Sequence, residues 1–275
     1  MRSSNLILLH WNNEYQHFKK NLTVGRKKGD SEAIHEVRVT IKKLRAYLKL
    51  LLIFTNKKTE DELFAKTEEL FKVLGRHRDV EISLELTSQY EKKIKEKYPE
   101  LKSFFEKQKE QTLLWSVKAL NKYRDKELKH IGKLIAKSPG LAEDEIVIQK
   151  IASLIITSLL LAKENFAVPH KLRQELKEVY YWIKMLPEKH FLKPLEDKLH
   201  DLLDDFGYWQ DHQVFITRAK HFRKDYLPGS FGEFDKLKQL QATANDTAED
   251  LLKSGMKKTK KVMAEVSKLN KLEPA

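Results

Sequence analysis

Residues that stop helices and make turns are scarce in this chain. There are 9 glycines and 7 prolines in 275 residues, roughly half the usual share for a globular protein. A β-rich fold needs frequent Gly/Pro turns, so the scarcity argues against sheets. The intervals are filled by Leu, Lys and Glu, which favour helix, and apolar residues recur at helical spacing almost throughout. The expected fold class is all-α. Amphipathic helices are expected over about residues 5–24, 31–55, 59–75, 76–98 and 99–137, then 142–167, 169–187, 189–206, 210–225, 231–254 and 256–271. Gly25–Gly29, Gly75, Pro187, Gly207, Pro228-Gly229 and Gly255 are the expected breaks. Asp30 with Ser31, and Thr59, offer N-caps, and Pro99 and Pro169 suit first helical positions. Long helices with short connections pack as antiparallel bundles.

Ser138-Pro139-Gly140 is the best boundary, dividing the chain into residues 1–138 and 139–275. The two parts repeat each other. His35-x-x-Arg38-x-x-x-Lys42-Lys43-x-Arg45, continuing to Lys49, returns as His170-x-x-Arg173-x-x-x-Lys177-x-x-Tyr180, continuing to Lys184. Leu74-Gly75-Arg76-His77-Arg78-Asp79 returns, in the same order, as Phe206-Gly207-Tyr208-Trp209-Gln210-Asp211. Two landmarks in one order and at nearly one separation indicate an internal duplication.

The first landmark carries the chemistry. On a helical wheel His35, Arg38, Lys42, Arg45 and Lys49 fall within an arc of roughly 80°, with no carboxylate in that arc. Val37, Ile41, Leu44, Leu48 and Leu51 take the opposite side. His170, Arg173, Lys177, Tyr180 and Lys184 repeat the phase over Leu172, Leu176, Val179, Ile183 and Leu186. One basic stripe alone reads as a solvated face. Solvated helices usually interleave acids, because like charges at this spacing repel; this stripe omits them and recurs. The whole chain has 53 Lys and Arg against 40 Asp and Glu, a net charge of +13, which favours polyanionic partners. Arginine offers phosphate a bidentate fork and lysine a point charge. Helix starts at His35 and His170 would add dipole charge. An extended string of phosphates suits such a groove.

The H-x-x-R-x-x-x-[KR]-[KR]-L-R stretch, with L-G-x-x-x-D behind it and the pair repeated, resembles the CHAD family, the conserved histidine α-helical domain. His35, Arg38, Lys42, Lys43 and Arg45 fit the first copy, followed by Gly75, Arg78 and Asp79. The second copy departs: Glu178 and Tyr180 stand where basic residues are usual. The resemblance covers nearly the whole chain. It implies two antiparallel four-helix bundles related by internal pseudo-twofold symmetry, the two parts making one domain. It also implies a basic cleft that binds inorganic polyphosphate, without catalysis by the domain. Such domains often accompany a triphosphate-processing CYTH domain; the chain leaves no room for one, so a stand-alone module is expected.

The expected polyphosphate-binding residues are therefore His35, Arg38, Lys42, Lys43, Arg45, Lys49, Arg76, Arg78, His170, Arg173, Lys177, Tyr180, Lys184 and Arg218. Asp79 and Asp211, each four residues after a glycine read as a helix end, are expected to be structural, as caps or as salt bridges holding a basic residue. Trp182 and Trp209 read as core. The clusters Arg26-Lys27-Lys28, Arg218–Lys224 and Lys257–Lys261 are further cations, the last read as a solvated helix face.

No cofactor, metal or catalytic group is expected. Cysteine is absent, neither histidine helix carries H-E-x-x-H, and no Gly-rich phosphate loop, nucleophile elbow or paired-carboxylate signature occurs. Two other classes stay open. A helical RNA- or DNA-binding module would interleave aromatics with cations, as Tyr180 and Tyr181 do; nucleic acid is then a competitor for the polymer. A triphosphate hydrolase would hold Mg²⁺ through carboxylates. The longest apolar run, Ile151–Ala162, is broken by Ser153, Thr157 and Ser158 and falls short of a membrane span. The apolar N-terminal stretch reads as a first helix rather than a signal peptide. The expected location is the cytoplasm, with polyphosphate granules as a place of association.

Overall fold

Capping chemistry fixes where the helices begin. In a computed structural model, which describes residues 5–55, 60–141, 143–227 and 232–272, the described residues form nine α-helices and no strand. α1 (Leu6–Lys28) opens on Asn5, whose side chain accepts from the Leu8 amide at 2.9 Å. It closes on Gly29 at φ 59°, a left-handed position that glycine takes at no steric cost. α2 (Ser31–Thr55) opens on Asp30, whose carboxylate accepts from the Ala33 amide at 2.7 Å. α4 (Pro99–Lys122) and α7 (Pro169–Ile183) open on proline. α3 (Glu60–Ile94), α5 (Lys126–Ala136), α6 (Asp144–Leu161), α8 (Leu195–Asp225) and α9 (Glu233–Leu272) complete the set. Short 3-10 turns at Pro139–Leu141 and Ala162–Asn165 flank α6.

Several expected breaks are absent. α3 runs through Gly75, α8 through Gly207 and α9 through Gly255, while α1 passes Gly25 and ends only at Gly29. A glycine inside a helix costs about 1 kcal/mol against alanine, which a long packed helix absorbs. Two of these glycines clear space for a neighbour. A Cβ on Gly75 would lie 2.6 Å from Arg38 Nη1, and one on Gly255 would lie 3.2 Å from the Phe206 ring. Conversely, the single helix expected over 99–137 is two. Arg26 reaches from α1 to the end of α4, donating from Nε to the Leu120 carbonyl at 2.8 Å and from Nη2 to the Tyr123 carbonyl at 2.7 Å. Tyr123 itself is extended. α7 ends at Ile183, and the chain winds through turns until α8 begins at Leu195. The expected cap at Thr59 and break at Pro228-Gly229 lie outside the described residues.

Neither part of the chain encloses a core alone. The larger apolar cluster takes Trp11, Phe18, Ile41 and Leu48 from the first part with Ile155, Leu176, Leu202 and Val266 from the second. The smaller joins Tyr90, Tyr98 and Phe105 to Phe215, Phe222 and Leu240. Capping crosses the same divide. Asp144 accepts from the Leu6 amide at 2.8 Å, and Glu233 accepts from the Glu100 and Leu101 amides at 3.1 and 3.0 Å. Each carboxylate sits at the positive end of a helix from the other part. α6 with its following turn, Asp144–Asn165, is the one described segment long and apolar enough by composition to cross a membrane, contrary to the reading of the sequence. Its charges lie at its two ends apart from Lys150, and from Ile151 to Ala162 Ser153, Thr157 and Ser158 alone interrupt the apolar run. Val147, Ile151, Ile155 and Leu159 of this helix are core.

Candidate functional site

The apolar faces of the two stripe helices are as the wheel requires. Val37, Ile41, Leu44, Leu48 and Leu51 are buried on α2, and Leu172, Leu176, Val179 and Ile183 on α7. α2 and α7 touch, and the Trp182 indole N–H ties them together by donating to the Ala46 carbonyl at 3.0 Å. α3 packs on α2 and α8, and α8 packs on α7. Cations from all four helices consequently meet.

Lys42 lies at the centre. Burial, then the like charges of Lys177, Arg38 and Arg173, push its pKa well below that of a free lysine, with Asp211 opposing. Lys177 is brought down to about 8 by burial and Arg173, against the opposing pull of Asp204 and Asp211. Arg38 donates from Nη1 to the Phe71 carbonyl at 2.6 Å and stands 4.3 Å from the centre of that ring. Arg45 covers the same ring at 4.9 Å and Lys42 at 5.8 Å. Burial lowers the Arg38 and Arg173 pKa values, Asp79 opposing at the first and Asp211 at the second; both arginines stay charged at neutral pH. Arg218 donates to the Gln108 side chain, lies over Phe105 and faces Asp79. Buried and without hydrogen-bond partners are Arg173 Nε, Arg218 Nε and His35 Nδ1. Burial and Arg78 hold the His35 pKa below its usual value, so the ring is neutral at physiological pH.

Asp79 and Asp211 stand among these cations. Burial raises the pKa of Asp79, against Arg38, Arg218, Lys42 and Arg78. Burial raises that of Asp211 to about 6, against Arg173, Arg78 and Lys42. Neither is a helix cap, since α3 and α8 continue past both. They are the carboxylates opposite the stripe that a single-helix wheel does not see.

The stripe divides along its length. Its distal half is paired: Arg45 with Glu68, Lys49 with Glu178 at 2.6 Å and Lys184 with Glu196 at 3.6 Å. Lys43 turns to Glu14 at 2.8 Å. Arg78 lies 3.7 Å from Glu81, one turn on along α3. His170 is exposed, bonded to Gln210 at 2.9 Å and Gln174 at 3.1 Å, and Arg76 is exposed on α3. Tyr180 is half-buried, with Lys184 over its ring at 5.2 Å. His35 lies more than a turn inside α2, beyond the reach of the helix-end charge. His77 is fully buried, 3.1 Å from Thr112 and 3.4 Å from Ser31, and serves packing. Phe71 and Gln108 position Arg38 and Arg218 and were not singled out in the sequence. The clue was Phe71 one helical turn before Gly75. Among the described residues no group of His, Asp and Glu could hold a metal ion. A cavity of about 440 Å³ lies elsewhere, lined by Lys66, Leu70, Val73 and Tyr123.

The profile of the CHAD domain family matches residues 11–220. The chain belongs to the CHAD family. The crystal structure of the CHAD domain from the plant Ricinus communis superposes with a TM-score of 0.71 over 92% of this chain and 91% of that one, at 15% identity. That likeness shows the CHAD fold alone. No curated protein matches the sequence.

Proposed function

We propose that this CHAD protein binds inorganic polyphosphate, without catalysing a reaction on it, at the meeting of α2, α3, α7 and α8. One observation carries the reading: Arg38, Lys42, Arg78, Arg173, Lys177 and Arg218 crowd together around Asp79 and Asp211, with Glu68, Glu81 and Asp204 facing Arg38, Arg78 and Lys177 respectively, so cations outnumber the carboxylates among them. Desolvating like charges is costly unless an opposite charge compensates them. A phosphate chain supplies that charge along several turns at once, and the partnerless Arg173 and Arg218 N–H groups supply donors. His35 donates or accepts as a neutral ring. Lys43, Arg45, Lys49, Arg76, His170, Tyr180 and Lys184 form the margin, where a long chain leaves the cluster.

The convergence of Lys42 with Lys177 and of Asp79 with Asp211, each pair at matching places in the repeat, supports the pseudo-twofold relation expected between the two parts. On this reading the protein acts in the cytoplasm, at polyphosphate granules where these exist. Affinity comes chiefly from counterion release and falls steeply with salt. The test is binding of long-chain polyphosphate to Arg38→Gln/Lys42→Gln against Lys257→Gln/Lys261→Gln, whose lysines are exposed on α9. The first pair should abolish most binding and the second little. Equal losses would mean diffuse charge, and stronger retention of RNA than of polyphosphate would favour a nucleic-acid module.

A further inference from the structure

A site meant for an anion gains nothing obvious from two carboxylates, yet each copy of the repeat places one in the cluster. α3, which carries Asp79, packs on α8, which carries Asp211, and one helical turn before Asp79 the space over Gly75 is filled by Arg38, whose Nη1 lies 2.6 Å from where a Cβ would stand. Asp79 faces Arg38, Lys42, Arg78 and Arg218, and Asp211 faces Arg173, Arg78, Lys42 and Asp79. Further charged or titratable neighbours of the cluster are His35 and Arg45 on α2, Glu68 and Glu81 on α3, Lys177 on α7 and Asp204 on α8. Without a ligand the two carboxylates are the internal counter-ions that let the cations stay together. A phosphate chain entering among the same cations takes over that task and repels both carboxylates.

We propose that the Asp79–Asp211 pair couples loading of the site to proton uptake, one carboxylate taking a proton from solvent as the phosphate chain enters and returning it when the chain leaves. The inference rests on the polyphosphate reading. Burial already draws Asp211 up to about 6, with Asp79 adding to the effect, so the further negative charge of a ligand carries it through neutrality. The interior phosphates of a long chain keep their charge over this range, so the proton belongs to the protein. Loading is then favoured in mildly acidic surroundings and release in alkaline ones. Lys177, at about 8, adds a separate limb at higher pH.

The experiment is the affinity of the full chain for long-chain polyphosphate from pH 5.5 to 9, with the proton count taken calorimetrically in two buffers of different ionisation heat. The wild type should lose up to about tenfold in affinity per pH unit between 6 and 8, the slope for uptake of about one proton. Asp211→Asn should flatten that limb and keep the limb near pH 8. Should Asp211→Asn fail to fold, Asp79→Asn serves: removing its charge should shift the acid limb to lower pH. A wild-type proton count of zero, or an unchanged slope in folded Asp211→Asn, overturns the coupling while leaving polyphosphate binding intact. Absence of binding in the wild type, or binding indifferent to Arg38→Gln/Lys42→Gln, overturns the polyphosphate reading and the coupling with it.

Discussion

Gly75 and Gly207 hold matching places in the two copies, and the structure predicts opposite outcomes for alanine at each. At 207 nothing lies within 4 Å of an added Cβ, so Gly207→Ala gains helix propensity alone, about 1 kcal/mol. At 75 the methyl would meet Arg38 Nη1 at 2.6 Å and Cζ at 3.3 Å. The guanidinium must then leave the Phe71 carbonyl and ring. A hydrogen bond from a charged donor contributes about 1.5–3 kcal/mol, and the ring contact about 1 kcal/mol. Set against the same propensity gain, Gly75→Ala should lose about 1.5–3 kcal/mol. The two variants should differ by about 5–15 °C in Tm for a chain of this size, measured by circular dichroism on heating. Displacing Arg38 should also weaken polyphosphate binding about tenfold, while Gly207→Ala leaves it unchanged. Equal Tm shifts, or a Gly75→Ala protein more stable than wild type, would refute the argument that Gly75 exists to admit Arg38.

Stability without ligand should follow the shifted groups. Asp211 binds its proton more tightly folded than unfolded, so stability falls as pH rises from about 4 to about 6, by up to about 3 kcal/mol. Lys177 binds its proton less tightly folded, so stability climbs again above about 8; urea midpoints across pH check both, and Asp211→Asn should shrink the acid limb to the part that Asp79 contributes. Lys49→Met should change polyphosphate affinity less than about twofold, because Glu178 already neutralises Lys49, whereas Lys42→Met should cost about tenfold or more in the same binding assay. Trp182→Phe should lose about 1–2 kcal/mol by deleting the buried hydrogen bond between α7 and α2, read as a lower Tm; no change would mean that this tie is not what holds the stripes together.

How much of this was legible in the sequence follows from the range of each interaction. Sparse Gly and Pro, and the apolar faces of α2 and α7, are local properties, and both read correctly. Arg38 with Lys42 and Arg173 with Lys177 were legible because four-residue spacing puts them on one face of one helix. Pairing between helices was not: Glu14 and Glu68 come from α1 and α3 to Lys43 and Arg45, and a wheel of α2 cannot contain them. Glu178 was noted as a departure from the repeat, and its partner, Lys49, sits on the other stripe. Gly75, Gly207 and Gly255 were misread as helix ends because propensity ignores packing. The break after Lys122 was missed because it depends on Arg26, nearly a hundred residues earlier.

The most direct test of the central claim is a crystal structure of the full chain grown with long-chain polyphosphate. The account predicts phosphate density between α2 and α7, in contact with Arg38, Lys42, Arg173 and Lys177. Density confined to the exposed lysines of α9, with the cluster unoccupied, would contradict it.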